Sequence, residues 1–286
     1  MEIKAIDTHC HPSTAEYLEG SFGPIMQRTV EHFKSPIPTR TVDQMAEEYR
    51  KLGVMACVSG FDAETTMGTP PTSNDLIADM VKKHPDVFIG FAGVDPWKGE
   101  AAVRELERSI KELGLHGVGE LHPICSKFYP DNQKFYPLYE KCVELGVHVA
   151  FHTGTTGVGS GTPGGGGYRI DYSRPIYIDN LAADFPELKI ICCHPGFPWL
   201  EELLAIVVHK ANVYMDISGW HPRFLSDHFI QRLNRDLQDK VMFGTDYPWI
   251  TPDKWLAGFE KVQVNEDVRQ KILKDNAIRI LNLPVK

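Results

Sequence analysis

Eight short apolar runs alternate with longer amphipathic stretches along the 286-residue chain, and this alternation restricts the fold more than any other feature. Several runs are apolar at nearly every position, which is typical of parallel strands buried on both faces. The runs lie at residues 3–7, 54–59, 87–94, 117–121, 147–151, 188–193, 212–217 and 240–244. Strand and helix patterns that alternate eight times predict an α/β fold, a single (β/α)8 TIM barrel domain spanning residues 1–286.

The stretches between the runs carry the end signals of helices. Thr41 opens a capping-box pattern with Gln44, and Gly146 stands where a left-handed residue ends a helix. Helices are predicted at residues 41–52, 74–84, 99–113, 133–145, 199–210, 224–237, 252–262 and 266–281. The alternative fold is an open doubly wound sheet, which usually has a glycine-rich turn after its first strand. Residues 7–11 read Asp-Thr-His-Cys-His instead, which favours the barrel.

Two long connections follow predicted strands, and loops of this length are usually functional or disordered. Residues 12–40 separate the first strand from the first helix, and residues 153–174 carry eight glycines between positions 154 and 167. The glycine-rich segment lacks the Gly-Lys-Ser/Thr ending of a phosphate-binding loop. We interpret it as a lid beside the fifth strand, with a loop of no function as the alternative.

Charge and composition exclude several classes of protein. Lys and Arg number 30 against 38 Asp and Glu, and the net charge of −8 argues against a nucleic-acid surface. A run of about 18 apolar residues, which a membrane span requires, is missing. The start of the sequence has no apolar segment after a basic one, so a cytoplasmic location is expected. Six cysteines without a C-x-x-C pair predict free, buried thiols.

Histidines and carboxylates stand at the ends of predicted strands. His9 and His11 are two apart in an extended segment and therefore lie on one face. Other strands end in Glu120, His152, His194 and Asp246. A single such residue more often caps a turn or forms a hydrogen bond, but all strand ends of a barrel surround one mouth. Nitrogen and carboxylate ligands without thiolate suit zinc, manganese or iron, so a catalytic metal is predicted.

Six motifs along the chain are similar to those of the amidohydrolase superfamily, in particular the amidohydrolase-related group of aminocarboxymuconate-semialdehyde-decarboxylase-like enzymes. They are Ile-Asp-Thr-His-Cys-His-Pro at 6–12, Gly-Glu-Leu-His-Pro at 119–123, Phe-His-Thr-Gly at 151–154, Cys-His-Pro-Gly at 193–196, Phe-Gly-Thr-Asp-Tyr-Pro at 243–248 and Asp-Asn-Ala-Ile-Arg-Ile-Leu at 275–281. The resemblance implies a divalent metal, with Zn²⁺ favoured and Mn²⁺ as the alternative, and a homodimer.

The resemblance also implies roles for individual residues. The positions of the family's metal ligands hold His9, His11, His152 and Asp246. His194 matches the histidine that acts on metal-bound water or polarises the substrate, and Asp246 matches an aspartate that shuttles a proton. A metal ion lowers the pKa of bound water towards about 7, which suits hydrolysis.

Glu120 departs from the pattern, because many related decarboxylases have lysine before Leu-His-Pro. A glutamate here is similar to the bridging ligand of TatD-type hydrolases, which implies a second ion held with His152 and His194. The alternative is a carboxylate that orients a ligand imidazole without touching metal. One or two ions per chain are therefore expected.

The reaction is predicted to be hydrolysis of a small carboxylated or cyclic ester, lactone or amide. Many decarboxylases of the group carry an arginine on the helix after the sixth strand, and residues 197–210 contain none. Decarboxylation of an aromatic or muconate-like acid is the alternative, with Arg169, Arg174 or Arg223 holding a carboxylate from a loop. A hydratase stays open. A barrel that binds metal without catalysis is disfavoured, because every ligand position holds a ligating residue.

The walls of the pocket are expected to suit a small, flat molecule. Candidate substrate-binding residues that follow strand ends are His122, Trp199, Trp220, His221 and Tyr247, with Trp249 in the same wall and Arg169 on the loop after the fifth strand. The alternative for each aromatic residue is packing between loops.

Overall fold

Eight parallel strands close into a barrel in the computed structural model, which describes residues 2–285. The first three strands pair in order, and so do the last five. Single bridges from Cys10 to Tyr247 and from Ala92 to Val118 join these two groups at both edges. The strands are β1 (Ala5–Cys10), β2 (Val54–Ser59), β3 (Phe88–Phe91), β4 (Gly117–Leu121), β5 (His148–His152), β6 (Ile190–Cys193), β7 (Val213–Asp216) and β8 (Val241–Met242). The predicted (β/α)8 barrel is confirmed.

Helices separate successive strands, and most match the predicted stretches. They are α1 (Gly23–Phe33), α2 (Val42–Leu52), α3 (Glu64–Met67), α4 (Asn74–Lys83), α5 (Glu100–Lys111), α6 (Pro123–Ser126), α7 (Tyr136–Leu145), α8 (Ile176–Asp184), α9 (Leu200–His209), α10 (Asp227–Leu233), α11 (Pro252–Phe259), α12 (Glu266–Gln270) and α13 (Asn276–Leu281). The capping box is confirmed, since the Thr41 hydroxyl accepts from the Gln44 amide at 3.2 Å. Gly146 ends α7 in the left-handed conformation, with φ of 68°.

The expectation that residues 12–40 form one long loop before the first helix is wrong. A π-helical turn, Glu16–Ser21, and helix α1 lie within it. Pro24 lies in the first turn of α1, where a backbone N–H has no partner within the helix. Residues 153–174 form the irregular segment that was predicted, with two short 3-10 turns at Pro163–Gly167 and Ile170–Ser173.

Apolar side chains fill the amino-terminal end of the barrel, and His148 is buried among them. Its ring meets Phe91 edge-on, with centroids 4.6 Å apart. Gly117 lies directly against it, because a Cβ there would come within 2.0 Å of the imidazole. Burial lowers the pKa of His148 to about 3, so this histidine stays neutral in the folded protein.

A neutral buried histidine makes stability depend on pH. The unfolded chain binds a proton at His148 with a pKa near 6.5, whereas the folded chain does not, so stability falls as pH drops below that value. We expect wild type to lose about 2 kcal/mol more unfolding free energy between pH 7.5 and pH 5 than His148→Gln. Urea unfolding at both pH values measures this, and equal losses in the two proteins would contradict it.

The structure shows the state of the cysteines and the length and polarity of the helices. All six cysteines are free and buried, as predicted. Within residues 2–285, every helix is too short or too polar to cross a bilayer.

Candidate active site

The carboxyl ends of five strands bring the predicted ligating side chains together at one mouth of the barrel. Contacts within 4.8 Å connect His9, His11, Glu120, His152, His194 and Asp246 through overlapping groups of three. Five of them are almost fully buried, and the Asp246 side chain is 19% exposed. The convergence predicted from strand ends is therefore present in the fold.

One group of atoms has the spacing of ligands around a single ion. The Nε2 atoms of His9 and His11 are 3.2 Å apart, and Asp246 Oδ1 lies 3.5 and 3.7 Å from them. Glu120 Oε2 lies 3.7 and 3.6 Å from the same two nitrogens. Ligands about 2.0–2.1 Å from a tetrahedral ion are about 3.4 Å apart. We call these four residues the first cluster, and their donor atoms and spacing fit a divalent metal.

Glu120 directs its other oxygen to a second pair of histidines. Oε1 lies 2.8 Å from His152 Nδ1 and 3.2 Å from His194 Nε2. The two imidazole nitrogens are 3.0 Å apart. We call Glu120, His152 and His194 the second cluster. One carboxylate thus joins both clusters, which is the geometry of a bridging ligand. Hydrogen bonds donated by the two rings to Glu120 account for the same distances.

Carboxylates dominate the electrostatics of the first cluster. Burial lowers the pKa of His9, but Glu120, Asp216 and Asp246 outweigh burial and raise it to about 10. Burial favours the neutral form of Glu120, yet the facing histidines hold its pKa well below the usual value. The cluster therefore stabilises positive charge strongly, as a cation site requires.

Two of the same carboxylates also act on His194. Burial lowers its pKa, but Glu120 and Asp246 outweigh this and leave the pKa above its ordinary value. Its Nδ1 contacts the Ser218 hydroxyl at 2.9 Å, which fixes the ring. An oriented imidazole whose protonated form is favoured by neighbouring carboxylates is suited to donating a proton.

Asp216, at the end of β7, belongs to the site and was missed. Its Oδ2 lies 3.4 Å from His9 Nδ1, the ring nitrogen turned away from the first cluster, and its Oδ1 accepts from the His194 amide at 3.1 Å. A carboxylate behind a ligand imidazole fixes its tautomer and orientation. The sequence does contain a signal for this role, because Asp216 is a charged residue near the end of the apolar run at 212–217 and is buried in the fold.

Two residues of the site have left-handed backbone conformations that side chains rarely adopt. His194 has φ of 72° and Asp246 has φ of 62°. Gly219 lies between them, and a Cβ at this position would meet His194 Nδ1 at 2.6 Å. Strained conformations of this kind persist where the surroundings impose them, often at functional sites.

A cavity of about 680 Å³ lies over both clusters. Of the predicted substrate-binding residues, His122 and Trp220 line it. The His122 ring stacks on His152, with centroids 4.0 Å apart. Trp249, at the end of the β8 loop, lines it as expected, and so do two aromatic side chains that were not predicted, Tyr17 and Phe22. Tyr17 comes from the turn mistaken for a loop, and its ring stacks on His11 at 5.2 Å.

The other four candidates do not line this cavity. Tyr247 is fully buried, and its hydroxyl donates to Glu48 at 3.0 Å, which holds the ring away from the mouth. His221 accepts from the Arg223 amide through Nδ1 and so caps its own turn. Trp199 precedes α9, and Arg169 is exposed on the segment beyond the glycine-rich turn. A strand-end position alone does not determine which way these side chains point.

The glycine-rich segment forms part of the cavity wall. Thr155, Thr156, Gly157, Val158 and Ser160 line it. The Thr156 hydroxyl contacts His122 Nε2 at 3.4 Å and accepts from the Val158 amide at 3.1 Å. The segment therefore lies where a lid is predicted to act.

Enzymes with a (β/α)8 barrel place their catalytic residues at the carboxyl ends of the strands. The buried histidines and carboxylates of this chain lie at that end. The chain belongs to the amidohydrolase family, whose sequence profile matches residues 6–283. It is 25% identical over 259 residues to the γ-resorcylate decarboxylase of a Polaromonas species, covering 78% of each chain.

Solved structures agree with this assignment at the level of the fold. An uncharacterized TIM-barrel protein from Bordetella bronchiseptica superposes with a TM-score of 0.80 at 24% identity, covering 98% of this chain and 99% of that one. A dihydroxybenzoic acid decarboxylase from Polaromonas, solved with manganese and 2-nitroresorcinol, gives 0.70 at 22% identity, covering 99% and 98%.

Proposed function

We propose that the chain is a metal-dependent carboxy-lyase that decarboxylates an aromatic or muconate-like acid. The observation that carries this proposal is the first cluster lying at the floor of a cavity walled by aromatic side chains. Aromatic walls with a few convergent polar groups suit a planar acid. The decarboxylase activity of the Polaromonas relative supports the same reaction. Hydrolysis, which the missing arginine of residues 197–210 favoured, becomes the second candidate.

The first cluster is proposed to hold one divalent ion through His9, His11, Glu120 and Asp246. The ion would supply a Lewis acid for the substrate carboxylate and an adjoining oxygen. Manganese is favoured by the related Polaromonas structure that contains it, and zinc remains the alternative because histidine and carboxylate ligands suit both ions. Asp216 keeps the His9 ring aimed at this position.

His194 is proposed to donate the proton that the reaction consumes. The bond between the ring carbon and the carboxyl carbon breaks, carbon dioxide leaves, and the electron pair left on the ring carbon takes the proton. Glu120 and Asp246 raise the pKa of His194, which favours the protonated form of the ring. Tyr17 and Trp220 both line the cavity and provide flat apolar surface.

The proposal is tested by carbon dioxide release. Protein loaded with manganese or zinc is incubated with ring-carboxyl-labelled hydroxybenzoates, and the gas and the ring product are both measured. In D₂O, one deuterium should appear at the carbon that carried the carboxylate. Release of labelled gas at the rate of product formation is expected. A panel that releases none, with metal bound and the protein folded, would contradict decarboxylation of aromatic acids.

Hydrolysis is the second candidate, and the shared carboxylate of Glu120 favours it. If the second cluster binds its own ion, the site resembles two-ion centres that activate water for hydrolysis. Metal content then separates the candidates. Two ions in wild type that fall to one in Glu120→Gln, with turnover of lactones, esters or amides, would support the hydrolase. One ion in wild type that is kept in Glu120→Gln would place Glu120 outside the ligand set, whereas loss of that ion would make Glu120 the fourth ligand of a single centre.

A further inference from the structure

Four tyrosines are almost fully buried in the part of the chain that the structure describes, and their hydroxyls meet different surroundings. They are Tyr17, Tyr49, Tyr139 and Tyr247. The Tyr49 hydroxyl donates to Asp7 at 2.8 Å, and the Tyr247 hydroxyl donates to Glu48 at 3.0 Å. The Tyr139 hydroxyl has no partner and is enclosed by the hydrophobic core. Tyr17 differs from these three.

The Tyr17 hydroxyl is neither hydrogen-bonded nor enclosed. Among residues 2–285 it has no hydrogen-bond partner, yet the protein does not close it off as it closes off the Tyr139 hydroxyl. Tyr17 lines the cavity over the two clusters, so its hydroxyl is open to that cavity. Buried polar groups are nearly always hydrogen-bonded in folded proteins. The partner of this hydroxyl therefore comes from whatever the cavity holds.

Contacts with three other rings hold the Tyr17 ring in place. It stacks on His11 with the two planes 6° apart, and its centroid lies 5.2 Å from that of Phe22 and 6.4 Å from that of Phe61. Aromatic contacts of this kind add to the stability gained from burial. A side chain that is already ordered does not lose further conformational entropy when a ligand binds. The hydroxyl of Tyr17 is therefore preorganised.

The hydroxyl lies beside the first cluster and keeps its proton. The imidazole that Tyr17 stacks on is His11, whose Nε2 belongs to the first cluster. Burial, followed by the negative charges of Asp246 and Glu120, raises the pKa of Tyr17 well above the usual value. The phenol is therefore a neutral donor next to the position proposed for the metal ion. An acid whose carboxylate binds at that position comes close to this donor.

We infer that the Tyr17 hydroxyl donates a hydrogen bond to the carboxylate of an acid bound at the first cluster. The inference rests on the proposed function for placing the reacting carboxylate there. A hydrogen bond of this kind is strongest while the carboxylate carries its charge, and it is lost as neutral carbon dioxide leaves. It therefore stabilises the bound acid more than the transition state. Tyr17 serves in binding, and the proton that the reaction consumes comes from elsewhere.

Equilibrium binding of an acid that does not react tests the inference without turnover. Naphthalene-2-carboxylate has no ring hydroxyl to assist the loss of carbon dioxide, and it is titrated by calorimetry into manganese-loaded wild type and Tyr17→Phe. Phenylalanine keeps the ring that stacks on His11 and removes only the hydroxyl. Loss of one charge-assisted hydrogen bond predicts about tenfold weaker binding. Manganese content and unfolding temperature should equal those of wild type.

Tyr139→Phe is the matched control, because it removes a buried hydroxyl that lies outside the cavity. It should bind the acid as wild type does. Equal affinity of wild type and Tyr17→Phe overturns the inference, and so does a fall in affinity that accompanies loss of manganese. No measurable binding of the acid to wild type also overturns it.

Turnover provides a second measurement on acids that do react. In Tyr17→Phe we expect KM to rise about tenfold while kcat stays equal or increases, because the lost contact belongs to the bound acid. A lower kcat with unchanged KM contradicts the inference. If no hydroxybenzoate releases carbon dioxide but acid binding still depends on the Tyr17 hydroxyl, the result counts against decarboxylation alone.

Discussion

Asp246→Asn is expected to abolish turnover and to remove bound metal. Oδ1 of Asp246 lies 3.5 and 3.7 Å from Nε2 of His9 and His11 in the first cluster. The amide keeps the shape of the side chain but loses the charge that a cation needs. We expect kcat/KM to fall at least about 10³-fold, since an effect of about 4 kcal/mol is ordinary for lost electrostatic stabilisation of a transition state.

Asparagine is the suitable replacement because the backbone at this position is left-handed, with φ of 62°. Asparagine adopts that conformation more readily than most residues, so the fold should be retained. Metal per chain is measured by elemental analysis beside the rate and the unfolding temperature. Asp253→Asn, an exposed aspartate on α11, is the control. Full metal content with a fold like that of wild type would remove Asp246 from the ligand set.

The sequence predicts the barrel and the convergence of its strand ends because both follow from periodicity and chain order. Each of the eight apolar runs overlaps a strand, and side chains at their carboxyl ends meet for geometric reasons alone. His9 and His11 are the clearest case, since alternation along a strand already puts them on one face. The confirmed capping box of α2 is likewise a local pattern of four residues.

What the sequence does not predict depends on contacts between distant segments. Tyr247 follows Asp246 directly, yet its buried ring lies away from the mouth because its hydroxyl donates a hydrogen bond to Glu48, almost 200 residues earlier. Tyr17 reaches the mouth because its turn packs on Phe22 and Phe61, which no local pattern indicates. Asp216 is different, because it ends β7 and could have been predicted in the same way as the other polar residues at strand ends. It was overlooked because it lies within an apolar run.

The distances around Glu120 fit one ion or two, and the role of the second cluster in the reaction distinguishes these cases. Oε2 faces the first cluster and Oε1 faces His152 and His194. In a carboxy-lyase with one ion, the second cluster is a hydrogen-bonded proton donor. In a two-ion hydrolase, the same imidazoles are ligands. A substitution at His194 therefore separates the two functions, because it removes a proton donor in one case and a ligand in the other.

His194→Asn is expected to slow carbon dioxide release by about 10²–10⁴-fold while leaving metal content unchanged, since loss of a general acid has an effect of this size. The left-handed backbone, with φ of 72°, again favours asparagine as the replacement. Product formation, metal per chain and substrate affinity are measured together, with His209→Asn on the exposed end of α9 as the control. Unchanged affinity with lost turnover supports proton donation. Loss of one of two ions would identify His194 as a ligand and favour the hydrolase.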